Sequence, residues 1–370
     1  MAKRRRRDKD FSDLLLDETS GGRADDHDAR GGNAQRFGKR SKYHQKNKTI
    51  RTAEERMGDA RLAAEKKALP IGEVVQVHSL FLSVLDPQGE MLLCTSRRTM
   101  RQVIAEEMGE LCVGDRVRFR RTGGTANLTE SESLDGQAHV MPEGVIEAVE
   151  PRETILMRED SFVPDKLDPI VANAGQFLIV VAMHDPFPRW GLVDRMLVAA
   201  QTGGLAPIVV VNKSDLRDQA DDAAGTDAAM EHYRTLDVPA ILTSIETGDG
   251  LDALRDRLAG KTTVLAGHSG VGKSSLVSAI DGGIDLRVGE TSSAHGKGKH
   301  TTTSARRYPL TGPDGGFVVD TPGIKVFAPV GVSGDDLERF FPDVAKGIAP
   351  DWRVENFERI KASLEGDRRD

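Results

Sequence analysis

Cysteine is nearly absent from this chain of 370 residues: Cys94 and Cys112 are the only two. Two thiols cannot build a disulfide framework, nor by themselves a four-ligand zinc site, and such sparing use fits a reducing compartment. Aromatic residues make up only 5% of the chain, so an RNA-binding surface built on base stacking is poorly supported. No apolar run approaches the roughly 18–20 residues of a membrane span; the best runs from Phe177 to Met183. The basic stretch Arg4 to Arg7 resembles the start of a signal peptide, but Asp8, Lys9 and Asp10 follow it where an apolar segment is required. Beyond Gly331 there is neither cysteine nor histidine, which excludes a zinc site within that stretch.

What is there begins with an uneven charge distribution. The net charge is -7, yet residues 1–67 hold 19 lysines and arginines against 12 aspartates and glutamates. The stretch from Arg36 to Arg51 carries seven basic side chains and no acidic one, together with Tyr43 and His44. Such a segment suits a polyanion, because each neutralised phosphate releases a counterion. The plainer alternative is a solvated tail that aids solubility.

Residues 1–69 read as a basic, largely disordered extension ending in one helix, Glu54 to Leu69, which Pro70 stops. Short strands follow: Gly72–His78, Phe81–Leu85, Met91–Thr95, Arg116–Arg121, Gly144–Val149 and Thr154–Arg158. Turn dipeptides such as Asp86-Pro87 and Gly114-Asp115 separate them, and the spacing predicts a small β-barrel, an OB-fold, over residues 70–165. Over residues 166–330, apolar strands alternate with helices. Strands are expected at Phe177–Ala182, Pro207–Val211, Ala240–Thr243, Thr262–Ala266 and Phe317–Val319, and helices at Leu192–Thr202, Asp227–Leu236 and Leu251–Leu258. This is the pattern of a doubly wound α/β domain. Residues 331–370 read as polar helices anchored by Trp352 and Phe357.

The chemistry is carried by five short segments. Gly267, His268, Ser269, Gly270, Val271, Gly272, Lys273 and Ser274 match the P-loop pattern, with a strand before them and a helix Ser275–Ile280 after. Glycines let backbone N–H groups curl around a β-phosphate, and the helix N-terminus adds its dipole. Lys273 is placed to reach the β- and γ-phosphates, and Ser274 to ligate Mg²⁺. Asn212, Lys213, Ser214 and Asp215 follow a strand. An aspartate there accepts from both guanine N1–H and N2–H₂, Asn212 can bond N7, and the Lys213 stem can lie over the base. Thr243, Ser244 and Ile245 end another strand and suit a loop whose backbone touches guanine O6. Asp320, Thr321, Pro322 and Gly323 offer a water-mediated Mg²⁺ ligand and a γ-phosphate sensor, Gly323. Between them lies a polar loop with His300, Thr301, Thr302 and Thr303, of which Thr302 is the expected third Mg²⁺ ligand and His300 a candidate catalytic group. The position after Gly323 is Ile324, where Ras-like GTPases carry the glutamine that orients water.

The order of these segments departs from the usual one, since the guanine-reading motif precedes the P-loop. Gly260 and Lys261 join what would ordinarily be the last helix to the first strand. With Gly114 to Val117, Ala172-Asn173, Val288 to Glu290 and Gly298 to Thr303, this arrangement resembles the circularly permuted small-subunit ribosome-biogenesis GTPases, the RsgA (YjeQ) family, over roughly Gly72 to Phe341. The resemblance implies an OB-fold docked on ribosomal RNA, GTP/GDP and Mg²⁺ as ligands, hydrolysis stimulated by the small ribosomal subunit, and a cytoplasmic location. A monomer is expected, with no membrane partner. The family's zinc module of three cysteines and a histidine has no counterpart beyond Gly331, so no zinc is expected. Two alternatives stand beside this reading: a GTPase acting on another RNA target, and an RNA-binding protein with a non-hydrolysing nucleotide site.

Overall fold

A computed structural model describes residues 65–96, 109–130, 132–133, 136–159, 167–282, 284, 286, 305–321 and 331–366. The basic extension and most of the helix expected at 54–69 lie outside these residues; within it, 65–67 are helical.

Five strands close a barrel: β1 (Ile71–Val77), β2 (Leu82–Leu85), β3 (Met91–Ser96), β4 (Arg116–Leu128) and β5 (His139–Val149). Their order is β1-β2-β3-β5-β4, and β4 pairs back onto β1. All pairs are antiparallel except β3 with β5. Alternation sends Val74, Val84, Leu92, Cys94, Val117, Phe119 and Ile146 into one small core. The β2–β3 turn is set by Asp86, whose Oδ1 accepts the amides of Gln88 and Glu90 at 2.8 Å each. Strands β4 and β5 run well beyond the expected Arg116–Arg121 and Gly144–Val149, because they pair with each other past the barrel wall to Leu128 and His139.

The sixth expected strand does not join the barrel. β6 (Ile155–Glu159) pairs instead with β7 (Leu167–Ala172) in a separate two-stranded sheet. Leu156, Ile170 and Val171 from this hairpin are buried in the core of the α/β region, which is why the hairpin leaves the barrel.

The α/β region has strand order β10-β9-β8-β11-β13-β12, formed by β8 (Gln176–Ala182), β9 (Ala206–Asn212), β10 (Ala240–Leu242), β11 (Thr262–Gly267), β12 (Arg306–Pro309) and β13 (Phe317–Asp320). All pair in parallel except β12 against β13. Every residue of β8 is buried, as a central parallel strand covered on both faces requires. Helices α1 (Trp190–Thr202) and α2 (Ala223–Thr235) pack on one face, and α3 (Leu251–Leu258) and α4 (Lys273–Ile280) on the other. The sheet continues into the barrel where Gln76 of β1 pairs with Arg306 of β12. Beside this junction Arg307 forms an ion pair with Glu73 and lies 3.6 Å over the Phe317 ring.

The C-terminal segment contains a 3₁₀ turn (Leu337–Phe340), α5 (Pro342–Ala345) and α6 (Asp351–Gly366). Phe341, Phe357 and Ile360 pack on Val198 of α1. Beside them runs a buried polar network. Asp194 of α1 accepts from Tyr233 Oη at 2.8 Å and Asn356 Nδ2 at 2.7 Å, and pairs with Arg353. Arg353 Nε also donates to Asp343 at 2.5 Å, and His232 Nε2 lies 2.7 Å from the same carboxylate. Desolvation raises the pKa of Asp343, but the hydrogen bonds from His232 and Arg353 outweigh it and hold the carboxyl below its ordinary range.

Candidate nucleotide site

The phosphate loop lies between β11 and α4. Gly267, Gly270 and Gly272 all have positive φ, at 147°, 86° and 90°. At Gly272 a Cβ would also fall 2.5 Å from Asn212 Nδ2, so backbone angle and crowding both demand glycine. Helix α4 begins at Lys273, two residues earlier than expected, with Gly272 as its N-cap. Val271, Leu276 and Val277 are buried under the sheet and fix the loop from below. Lys273 Nζ donates to the carbonyls of Gly267 and His268, both at 2.8 Å, which holds the ammonium against the loop at the positive end of α4. Ser274 and Ser275 occupy the first turn, and His268 and Ser269 lie on the outward arc of the loop.

The second loop follows β9. Lys213 adopts a left-handed conformation, φ 59°, and starts the 3₁₀ turn that carries Asp215. Ser244 Oγ donates to Asp215 Oδ1 at 2.6 Å and so aims the carboxylate. The buried Ser244 hydroxyl is therefore engaged within the protein. Asn212 is 1% exposed; its Nδ2 donates to the Val271 carbonyl at 2.9 Å, and its Oδ1 accepts from Thr243 Oγ1 at 3.0 Å. The amide ties the base loop to the phosphate loop. A contact to guanine N7 has only its second Nδ2 hydrogen to draw on, a narrower role than the sequence suggested.

Asp320 ends β13, which runs parallel to β11, so its carboxylate stands at the same sheet edge as the phosphate loop. Thr321 Oγ1 donates to Leu265 O at 2.9 Å and fixes this exit. The Ser274 hydroxyl in the first turn of α4 and the Asp320 carboxylate at the end of β13 are hard oxygen donors of the kind Mg²⁺ takes. His300, Thr301, Thr302, Thr303, Gly323 and Ile324 lie outside the described residues.

One wall of the site has no counterpart among the sequence motifs. Residues 184–189 follow β8 and lie across both loops: the Asp185 carbonyl accepts from Lys213 Nζ, and Pro186 sits 3.7 Å from where a Gly270 Cβ would be. Pro186, Phe187 and Arg189 line a cleft with Gly267, His268 and Val271. The signal available in sequence was only the Pro186-Phe187-Pro188 punctuation between a strand and a helix, which marks a loop without naming a ligand.

Comparison with known proteins agrees with this geometry. Residues 149–329 match the family described as RsgA GTPase. A small ribosomal subunit biogenesis GTPase RsgA from Chlorobaculum parvum is 36% identical over 287 residues, covering 74% of this chain and 85% of that protein. The chain belongs to the RsgA family. A relative of the same name from Pseudomonas aeruginosa is 45% identical over 198 residues, 54% of this chain; the match spans only 57% of that relative's length. Among solved structures, YjeQ from Thermotoga maritima superimposes with a TM-score of 0.57 at 30% identity, covering 80% of this chain and 99% of that one. YloQ, described as a circularly permuted GTPase, shares the fold at a TM-score of 0.55 and 21% identity. In this chain too the order is permuted, with the Asn212–Asp215 loop preceding the phosphate loop along the sequence.

Proposed function

We propose that this chain is a GTPase that binds the small ribosomal subunit, assists its late maturation, and hydrolyses GTP to GDP and phosphate when the subunit stimulates it. The observation that carries the reading is the join between its two nucleotide motifs. Asn212 and Val271 are 59 residues apart in the chain, yet one hydrogen bond brings the base-reading loop and the phosphate loop into a single cleft. In that cleft Asp215, aimed by Ser244, reads guanine; Gly267 to Ser275 cradle the phosphates; Lys273 neutralises charge building on the transferred group. Ser274 and Asp320 are the described residues that would hold Mg²⁺, with Thr302 as the proposed third ligand, and the ion would neutralise phosphate charge. Gly323 as γ-phosphate sensor and His300 as catalytic group belong to the same proposal.

The domain reading is an OB-fold over residues 70–165, a circularly permuted GTPase over 166–330 and a helical segment over 331–370. The strand order of the closed barrel and its one parallel pair support the OB-fold. On β4, Arg116, Arg118, Arg120 and Arg121 each lie against a carboxylate. Salt-dependent attraction to ribosomal RNA is therefore assigned to the basic stretch from Arg36 to Arg51. No described helix is long and apolar enough to cross a membrane. A cytoplasmic monomer without zinc completes the proposal.

Guanine selectivity tests the reading. Asp215→Asn is expected to weaken GTP binding by about 1–3 kcal/mol, the cost of losing a bidentate base-edge contact. Competition with ATP reads it directly: undiminished preference for GTP in the variant rejects the assignment.

A further inference from the structure

Helix α1 begins without the usual aids. Its N-cap is Arg189, no side chain caps it, and its first turn holds no acidic residue. The first turn is held instead by the C-terminal helix. Trp190 and Trp352 rings lie 6.3 Å apart, and a Cβ on Gly191 would fall 2.9 Å from Asn356 Oδ1. One turn on, Asp194 is gripped by Asn356 Nδ2 at 2.7 Å and by Arg353. Between this clamped turn and the end of β8 lie only the residues of the wall loop. That loop touches both halves of the cleft, through the Asp185 carbonyl on Lys213 and Pro186 against Gly270.

We infer that Asn356 and Arg353 are positioning residues for the nucleotide cleft: by clamping the start of α1, the C-terminal helix sets the wall loop that supports Lys213 and the phosphate loop. The inference rests on the reading of that cleft as a guanine-nucleotide site. Each end of the loop is anchored, one in the central strand and the other at the start of α1. That start packs on the core through Val193 and is gripped from outside by α6, so release of α6 loosens that end. From α6 to α1, along the chain into the wall loop, and from the wall loop to Lys213 and Gly270 runs one connected path, the kind of connection through which two sites share an energy. Linkage then makes the effect reciprocal: nucleotide held by the cleft stabilises the docked position of α6.

Two measurements on the full chain test this. Asn356→Ala is expected to raise the Kd for MgGDP about fivefold or more, the lower end of typical site-to-site coupling. Binding is measured at a temperature where the variant is folded, with Glu358→Ala on the exposed face of the same helix binding as wild type. In the wild-type protein, saturating MgGDP should slow amide exchange across residues 351–362. A variant that loses thermal stability but keeps the wild-type Kd would overturn the inference, since a merely structural contact moves only the first. Unchanged exchange in wild-type α6 would overturn it as well, and decides the matter if Asn356→Ala does not fold. A wild-type protein that binds no MgGDP would reject the reading of the cleft itself.

Discussion

The protein contains two polar clusters built from similar residues and put to opposite uses. In the cluster between α1 and α6, Asp194, Arg353, Asn356, Tyr233, His232 and Asp343 hold one another out of water. In the cleft, Asn212, Ser244 and Thr243 are tied down by bonds within the protein, and they hold together the loops proposed to bind the nucleotide. Contacts closed within the protein, with only Asp343 Oδ1 left without a hydrogen bond, make the first cluster a structural clamp. Partial satisfaction, at the open end of a parallel sheet, makes the second a site. Side-chain identity does not separate the two; what separates them is whether the last partner is the protein or something else.

Breaking the closed cluster should have the largest effect on stability. Asp194→Ala takes from Arg353, only 3% exposed, one of its two buried carboxylate partners, and leaves Tyr233 Oη and Asn356 Nδ2 without their acceptor. Removing one member of a buried pair costs about 3–5 kcal/mol, and urea unfolding is expected to report a loss of that size. Lys273→Ala should act in the opposite sense. It removes an ammonium from the phosphate loop, and turnover of GTP is expected to fall about 100- to 1,000-fold in single-turnover assays, with the unfolding midpoint nearly unchanged. If Lys273→Ala destabilised the fold as much as Asp194→Ala, the distinction between clamp and site would fail.

How much of this was legible in the sequence follows the same division. The parallel strands announce themselves as apolar runs, and β8 through β11 lie within a residue or two of their expected bounds. The Gly267–Ser274 and Asn212–Asp215 loops are legible as motifs because each is defined by particular residues at fixed local spacing. The clamp is not, because Asp194 and Arg353 are 159 residues apart and nothing local marks either of them as buried. Strand β7 was hidden by Pro169, which weakens the strand pattern of Leu167–Ala172 although the hairpin tolerates it. The wall loop was hidden for another reason: it contacts the nucleotide loops through backbone and proline, which carry no motif.

The barrel supplies a milder comparison. His78 stacks on Phe81 at 4.4 Å and bonds Ser83 Oγ at 2.9 Å. Burial, helped by Arg306 and opposed by Glu132, lowers its pKa to about 4. The unfolded chain takes up a proton near pH 6.5 that the folded chain refuses until about pH 4. The stabilisation is thus complete above pH 6.5 and lost as pH falls through that interval. Allowing for solvent screening of a partly exposed ring, the expected loss is about 1–2 kcal/mol. Comparing urea unfolding of wild type and His78→Asn at pH 7 and pH 4.5 should isolate it; equal pH dependence in both would remove His78 from the account.

The central claim is that the cleft is a GTPase site completed by the small ribosomal subunit. Ile324 stands where Ras-like enzymes have their water-orienting glutamine, so the free protein lacks that guide. The direct measurement is the rate of GTP hydrolysis by the full chain, alone and with purified small subunits. The account predicts slow turnover alone and acceleration of at least about an order of magnitude with subunits. Equal rates with and without them would contradict it.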